Sequence, residues 1–183
     1  MSPIIDKLKQ EHANFRSFLR LFDVELDKFK TGVSPDYELI DALLDFFTSF
    51  PDEWHHHKED LVYDVLIQKA EGISDRLTDL RSEHKRLETG ARAFSDRIAH
   101  LRRGSDLPMS EIVSAGETYG RLLRHHMVKE DQVFFPLAEQ RLNDDDWRGI
   151  DLQISAQRES PAQIQKMDRI RHVEHTISEI AAE

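Results

Sequence analysis

Four long segments of this chain carry apolar residues at steps of three and four, the spacing that places side chains on one face of an α-helix. Short stretches with glycine, serine or proline separate the segments. Helices joined by short loops run antiparallel, so the pattern predicts an all-α protein, an up-down-up-down four-helix bundle. The expected helices cover about residues 3–30, 35–70, 73–103 and 109–141.

A polar break follows the fourth segment, at residues 143–146. After it the sequence predicts a short helical piece near 147–157 and a last helix at about 161–180. We therefore divide the chain into a four-helix bundle, residues 1–142, and a helical C-terminal extension, residues 143–183.

Each of the four apolar stripes includes a histidine at a position where a core residue is expected. The second and fourth segments each carry a His-x-x-x-Glu pair, which places both side chains on one helix face, a turn apart. Counted from the expected helix ends, at roughly 1.5 Å per residue, one histidine or glutamate of each segment lies about 15 Å from the same end of the bundle, and the histidines of the two pairs, His55 and His126, lie one turn further in. The six residues are His12, His55, Glu59, His84, His126 and Glu130.

Imidazole nitrogens and carboxylate oxygens that converge inside a bundle are typical ligands of a non-haem metal centre. A single buried histidine is more often a structural residue, and a single His-x-x-x-Glu pair is more often solvated. Burying all six groups together without a cation costs on the order of several kcal/mol per uncompensated charge. The coincidence of six residues at one level therefore predicts a bound metal.

His56 is a reserve ligand candidate, because it lies three residues before Glu59 and beside the stripe. Pro51 interrupts the second helical pattern, and a kink there can rotate His56 inward. The other histidines are expected on the surface or outside the ligand set, with a weak surface metal pair possible for the last two. They are His57, His100, His125, His172 and His175.

Composition excludes several other classes of protein. The 183 residues suit one domain, and the net charge of −10 argues against a nucleic-acid partner. No apolar run reaches the roughly 18 residues of a membrane span, and the N-terminus does not resemble a signal peptide. Without cysteine, any metal must be held by histidine, aspartate or glutamate. We expect a cytoplasmic protein.

At these residues the chain resembles the hemerythrin-like (HHE cation-binding) family over about residues 3–141. The resemblance implies two irons per chain, bridged by two carboxylates and an oxo or hydroxo group. It implies His12, His55, His84 and His126 as terminal ligands, with Glu59 and Glu130 as bridges. The motifs are Leu8-x-x-Glu11-His12, the run from His55 to Tyr63, Ser82-Glu83-His84, and the run from His125 to Pro136, which is the most specific.

Two positions depart from the oxygen-carrying members of that family. Their fifth histidine lies four residues after the position of His84, where this chain has Glu88, and their second bridge is an aspartate instead of Glu130. The set of four histidines and two glutamates is more similar to the ligand sets of bacterial iron–sulfur repair proteins and of the iron-sensing F-box hemerythrin domain. One iron then has a more open coordination sphere, or it gains an anionic oxygen ligand from Glu88. This change of ligands disfavours reversible oxygen carriage. Tyr119 is either a partner of a bound oxygen species or a core residue.

The resulting hypothesis is a diiron protein that binds or reduces small ligands such as oxygen, nitric oxide or peroxide. One alternative is an iron or oxygen sensor, or an iron donor, without turnover. Another is a structural bundle with a single zinc or manganese ion. The residues do not decide whether the protein is an enzyme.

Overall fold

The computed structural model describes residues 2–69, 77, 80–158 and 161–180. These residues form helices and connecting turns, with no β-strand among them, so the expected all-α bundle is confirmed. Four rods build the bundle, and two of them contain a single π-helical turn, at Pro51–His55 and at Glu130–Phe134. The α-helices are α1 (Pro3–Thr31), α2 (Tyr37–Phe50), α3 (His56–Lys69), α4 (Leu80–Arg102), α5 (Met109–Lys129), α6 (Phe135–Arg141), α7 (Asp144–Arg158) and α8 (Pro161–Ile180).

Local capping groups set the ends of the first helices. The Ser2 hydroxyl accepts a hydrogen bond from the backbone N–H of Ile4, and α1 ends at Gly32, which adopts a left-handed conformation with φ 71°. The second rod begins at Tyr37 because the Asp36 carboxylate caps it, so the expected start at Pro35 was two residues early. The expected start of the third helix, near Ile73, lies outside the described residues.

Ion pairs between the rods show that neighbouring rods are antiparallel. Lys9, near the beginning of α1, lies 3.8 Å from Glu139 in α6, whereas Lys30 at its end lies 2.8 Å from Glu117 in α5. On the other side of the bundle, Arg102 pairs with Asp41 at 2.6 Å, near the end of α4 and the beginning of α2. None of the described helices is both long and apolar enough to span a bilayer.

The core consists of two hydrophobic clusters, one toward each end of the bundle. The larger cluster is rich in aromatic rings and includes Phe15, Phe22, Phe47 and Phe94. The smaller cluster has the following members: Ile5, Leu8, Val62, Leu66, Leu77, Leu80, Phe134, Phe135, Leu137, Ala138, Leu142, Ile150 and Ile154. Every predicted ligand lies, along its rod, between residues of the two clusters, so the predicted site is a polar layer that separates them.

The C-terminal helices pack onto the outside of the bundle. Helix α7 contacts α3 and places Ile150 and Ile154 in the smaller cluster. Helix α8 contacts α2 and buries Ile177 completely in the larger cluster. Both helices therefore add to the core and cover the second rod.

Candidate metal centre

The six predicted ligands are all buried in the polar layer. Three of them, His12, Glu59 and Glu130, have no exposed surface, and the most exposed, His84, shows 7%. Every rod contributes at least one of these residues to the layer.

Glu59 turns its two carboxylate oxygens toward different sides of the layer. Its Oε1 lies 3.1 Å from Nε2 of His55 and 3.7 Å from Nε2 of His12. Its Oε2 lies 3.4 Å from Nε2 of His84. One carboxylate thus faces His12 and His55 with one oxygen and His84 with the other. A bridging ligand needs this arrangement.

Glu130 has the same arrangement on the opposite rod. Its Oε2 lies 3.3 Å from Nε2 of His12, and its Oε1 lies 3.1 Å from Nε2 of His126 and 3.7 Å from Nε2 of His84. Together with Glu59, this residue links one side of the layer to the other.

Among the described residues, two buried groups have ligand atoms that converge closely enough to hold a metal ion. The first is His12, His55, Glu59 and Glu130, and the second is His56, Glu59, His84 and His126. Within each group the ligand atoms lie within 4.8 Å of one another. The second group adds His56, the reserve candidate, to the six residues predicted from the sequence.

The buried ligand atoms lack hydrogen-bond partners in the described part of the chain. No hydrogen-bond partner is found there for either carboxylate oxygen of Glu59 or of Glu130, or for Nε2 of any of the four predicted histidine ligands. Buried polar atoms are almost always paired, because leaving them unpaired is costly. Cations at the two groups would give these buried atoms partners, so the donor set fits metal binding.

Carboxylates behind the rings fix the orientation of the histidines. Nδ1 of His12 donates to Asp131 at 2.9 Å, and Nδ1 of His55 donates to Glu11 at 2.9 Å. A carboxylate can only accept, so Nδ1 carries a proton and Nε2 is the nitrogen that faces the layer. With Nε2 deprotonated, this is the tautomer that binds a metal.

Carboxylates also lie behind the other two rings, with a hydrogen bond at His126 and a close approach at His84. Nδ1 of His126 donates to Glu83 at 3.2 Å, and Nδ1 of His84 lies 3.3 Å from Oδ1 of Asp60. Basic side chains neutralise these outer carboxylates, as Lys129 does for Glu83 at 2.6 Å. Burial raises the pKa of Glu83, but His126 and Lys129 outweigh it and lower the pKa to about 2.

The outer carboxylates form a closed ring around the bundle. Each one is adjacent in sequence to a ligand on its own rod, yet it holds the histidine of the neighbouring rod. Four contacts close the ring: Glu11 of α1 to His55, Asp60 of α3 to His84, Glu83 of α4 to His126, and Asp131 of the second π-helical turn to His12. The ring couples the orientation of each ligand to the packing of two rods.

In the metal-free protein, protons take the place of the cations. Burial lowers the pKa of His12, but Asp131, Glu130 and Glu59 outweigh it and raise the pKa to about 11. Carboxylates also raise the pKa of His84 to about 11 and that of His126 to about 9, against the effect of burial. These histidines must release protons to bind metal.

His56 differs from the other histidines in its protonation. Burial, together with the charge of His84, holds the pKa of His56 well below its ordinary value. Its ring is therefore neutral, and neutral imidazole is the form that binds metals.

The two π-helical turns bring consecutive residues to the same side of a rod. In the first turn the backbone N–H of His56 bonds to the carbonyl of Pro51, and in the second the N–H of Phe135 bonds to the carbonyl of Glu130. Such a turn is wider than an α-helical turn, so neighbouring side chains diverge less. His55 and His56 are both buried in the layer for this reason.

Comparison with known proteins agrees with the site. A family model described as the hemerythrin HHE cation binding domain matches residues 3–138. The chain belongs to this family. No curated protein and no solved structure matches the chain.

In this hemerythrin HHE domain, Glu88 lies outside both metal-binding groups. It pairs with Lys85 at 2.7 Å and with Arg92 at 3.1 Å on its own helix. The alternative in which Glu88 supplies an additional oxygen ligand is therefore not supported. His56, from the second rod, is instead the additional member of the second group.

The other sequence candidates lie away from the ligand atoms of the HHE domain. His100, His125, His172 and His175 are exposed, and His57 is half-buried and belongs to neither metal-binding group. Tyr119 packs against Phe47 in the larger hydrophobic cluster, with ring centroids 5.4 Å apart. This contact agrees with the interpretation of Tyr119 as a core residue.

Sequence reasoning missed the role of the outer carboxylates. A signal was present, because the dipeptide Glu-His occurs at 11–12 and 83–84, and the motif His-x-x-Lys-Glu-Asp occurs at 55–60 and 126–131. All four acids of the ring lie in these repeats.

Proposed function

We propose that the protein is a non-haem diiron protein that binds or reduces small ligands such as oxygen, nitric oxide or peroxide. The main support is the pair of buried metal-binding groups that share Glu59 and face both bridging carboxylates. Iron held by imidazole and carboxylate supplies redox chemistry and a coordination position for a small ligand.

Aromatic side chains exclude water from the His12 and His55 side of the layer. The ring of Phe15 lies edge-on to His55, with centroids 4.8 Å apart, and Phe135 stacks on His12 at 5.3 Å. An apolar wall of this kind protects reactive species from water and favours uncharged diatomic ligands.

A small cavity on the other side of the layer supports the same class of ligand. It measures about 190 Å³, lies between α4 and α5, and is lined by Glu83, Arg86, Leu87, Leu122, His125 and His126. Sites for drug-sized molecules are roughly 300–1,000 Å³. The cavity therefore suits a diatomic molecule or peroxide better than an organic substrate.

Metal analysis tests the proposal directly. Untagged protein from iron-supplemented cells should contain two irons per chain by mass spectrometry and show near-ultraviolet absorption from an oxo-bridged pair. His84→Ala and Glu130→Ala should each lose at least one iron, whereas His125→Ala, at an exposed position beside His126, should retain both. One zinc, or no metal in folded wild-type protein, contradicts the proposal.

A sensor or iron donor without turnover is the second candidate. It is favoured by the position of the layer between the two halves of the core, because metal binding there is coupled to folding. Turnover separates the two functions. A reducing enzyme consumes many equivalents of nitric oxide or peroxide per site, whereas a sensor shows a large change of melting temperature on iron loading and negligible consumption.

A further inference from the structure

The site has an internal two-fold repeat. In one half, Glu11 holds His55 and pairs with Lys58 at 2.5 Å. In the other half, Glu83 holds His126 and pairs with Lys129 at 2.6 Å. The same residue types, at the same spacing of the His-x-x-Lys-Glu-Asp motif, make the same contacts.

The repeat is broken at one buried position. The residue that follows the first histidine of the motif is His56 in one half and Met127 in the other. Both side chains are buried, with 3% and 1% exposed surface. A difference between a nitrogen ligand and a thioether at this position makes the two halves chemically distinct.

We propose that His56 is a fifth nitrogen ligand of the metal position formed with Glu59, His84 and His126, and that it makes the two metal positions unequal. This inference rests on the proposed diiron function. Its basis is the convergence of the four ligand atoms within 4.8 Å of one another.

The ring of His56 also packs against the rings of both other histidines in its group. The imidazole of His56 stacks parallel to that of His84, with centroids 3.9 Å apart and an angle of 8° between the planes. It meets the ring of His126 edge-on at 5.5 Å. The three rings are thus grouped on one side of the layer, whereas the His12 and His55 side has two.

The nitrogen count follows from this grouping. The metal position with His56, His84 and His126 has three imidazoles, and the position with His12 and His55 has two. Both positions face the bridging carboxylates Glu59 and Glu130. The two ions should therefore differ in their electronic environment.

Mössbauer spectroscopy of the full chain loaded with ⁵⁷Fe tests the proposal. Wild-type protein should show two quadrupole doublets of equal area. His56→Met copies the residue of the other half, so the doublets should merge, or one iron per chain should be lost. The matched control is His57→Met, which changes the adjacent histidine outside both groups and should leave both doublets and both irons unchanged.

A second variant covers the case in which a methionine disturbs packing. His56→Ala should lose one iron, and added free imidazole should restore both the second iron and the second doublet. Two irons with two unaltered doublets in His56→Met, or no rescue of a folded His56→Ala protein, overturns the assignment of His56. Fewer than two irons in wild-type protein overturns the diiron proposal itself.

Discussion

At the scale of single residues, the ring of outer carboxylates explains how four helices present their histidines correctly. Asp131 receives the Nδ1 proton of His12 and also pairs with Arg16. Replacing an outer partner of a ligand commonly lowers metal affinity by about 10- to 100-fold. Each acid of the ring lies on one rod and contacts a histidine of the next. Removing one acid therefore disturbs the contact between two rods as well as the orientation of one histidine.

Asp131→Asn should lower the affinity for the metal of the His12 group by about 10- to 100-fold, because the amide no longer fixes the His12 tautomer as a carboxylate does. Competition with a chelator measures the affinity. Asp23→Asn is the matched control, since Asp23 also pairs with an arginine, Arg124, between α1 and α5. Equal affinities in the two variants would contradict an orienting role for Asp131.

The raised histidine pKa values predict how the stability of metal-free protein depends on pH. Below the ordinary value of 6.5, folded and unfolded chains both hold these protons, and the attraction between imidazolium and carboxylate stabilises the fold fully. Above it, this stabilisation declines, and it is lost as the pH passes about 9 for His126 and about 11 for His12 and His84.

Thermal unfolding with a chelator should therefore show a melting temperature that falls steadily across this pH range. Iron-loaded protein is the control, because metal replaces the protons and removes this source of pH dependence. If the melting temperatures of the metal-free and iron-loaded protein changed with pH in parallel, the protons on the histidines would not be what compensates the charge of Glu59 and Glu130.

At the scale of elements, regular periodicity was easier to predict than its interruptions. The four rods and the level of the six ligands followed from steps of three and four in the sequence. The same steps left His56 only as a reserve candidate, because its inward position depends on a π-helical turn beginning at Pro51. A proline predicts a break in the α-helical ladder, but not which wider turn replaces it.

The outer carboxylates show a second limit of sequence reasoning. Glu11 is adjacent to His12, so proximity along the chain suggests that it supports that residue. It supports His55 instead, because neighbouring side chains on a helix point in different directions and the contact is made across the interface between rods. Only the three-dimensional arrangement of the rods reveals this exchange of partners.

Close packing of rods at Gly116 gives a prediction for this scale. A Cβ there would lie 2.6 Å from Cδ2 of Leu26 and 3.0 Å from a ring carbon of Phe94, so these side chains of α1 and α4 must shift to make room for it. Gly116→Ala should lower the free energy of unfolding by about 1–3 kcal/mol through overpacking.

The control for this variant is Gly149→Ala in α7, where a Cβ meets nothing within 4 Å. Since alanine favours a helix over glycine, this change should raise the free energy of unfolding by up to about 1 kcal/mol. Urea unfolding measures both. Stabilisation of the same size in the two variants would show that helix propensity, and not the contact between rods, decides the effect of the alanine.

At the scale of the whole molecule, the polar layer divides the hydrophobic core. Every rod crosses from the smaller cluster, through the layer, into the larger and more aromatic cluster. Metal in the layer would therefore join two parts of the core that share few apolar contacts across it. Because stability is not uniform within a protein, the part with the smaller cluster should depend more strongly on this connection.

Removing the metal should consequently loosen one end of the bundle more than the other. Amide hydrogens of α3 and α7, which pack in the smaller cluster, should exchange much faster after chelation, whereas those of α2 and α8 should change little. The metal-free protein should remain folded at neutral pH, because protonated His12, His84 and His126 partly compensate Glu59 and Glu130. Hydrogen exchange followed by mass spectrometry, with and without iron, resolves these segments. An equal increase in exchange at both ends would mean that the core responds as a single cooperative unit and that the layer does not divide it.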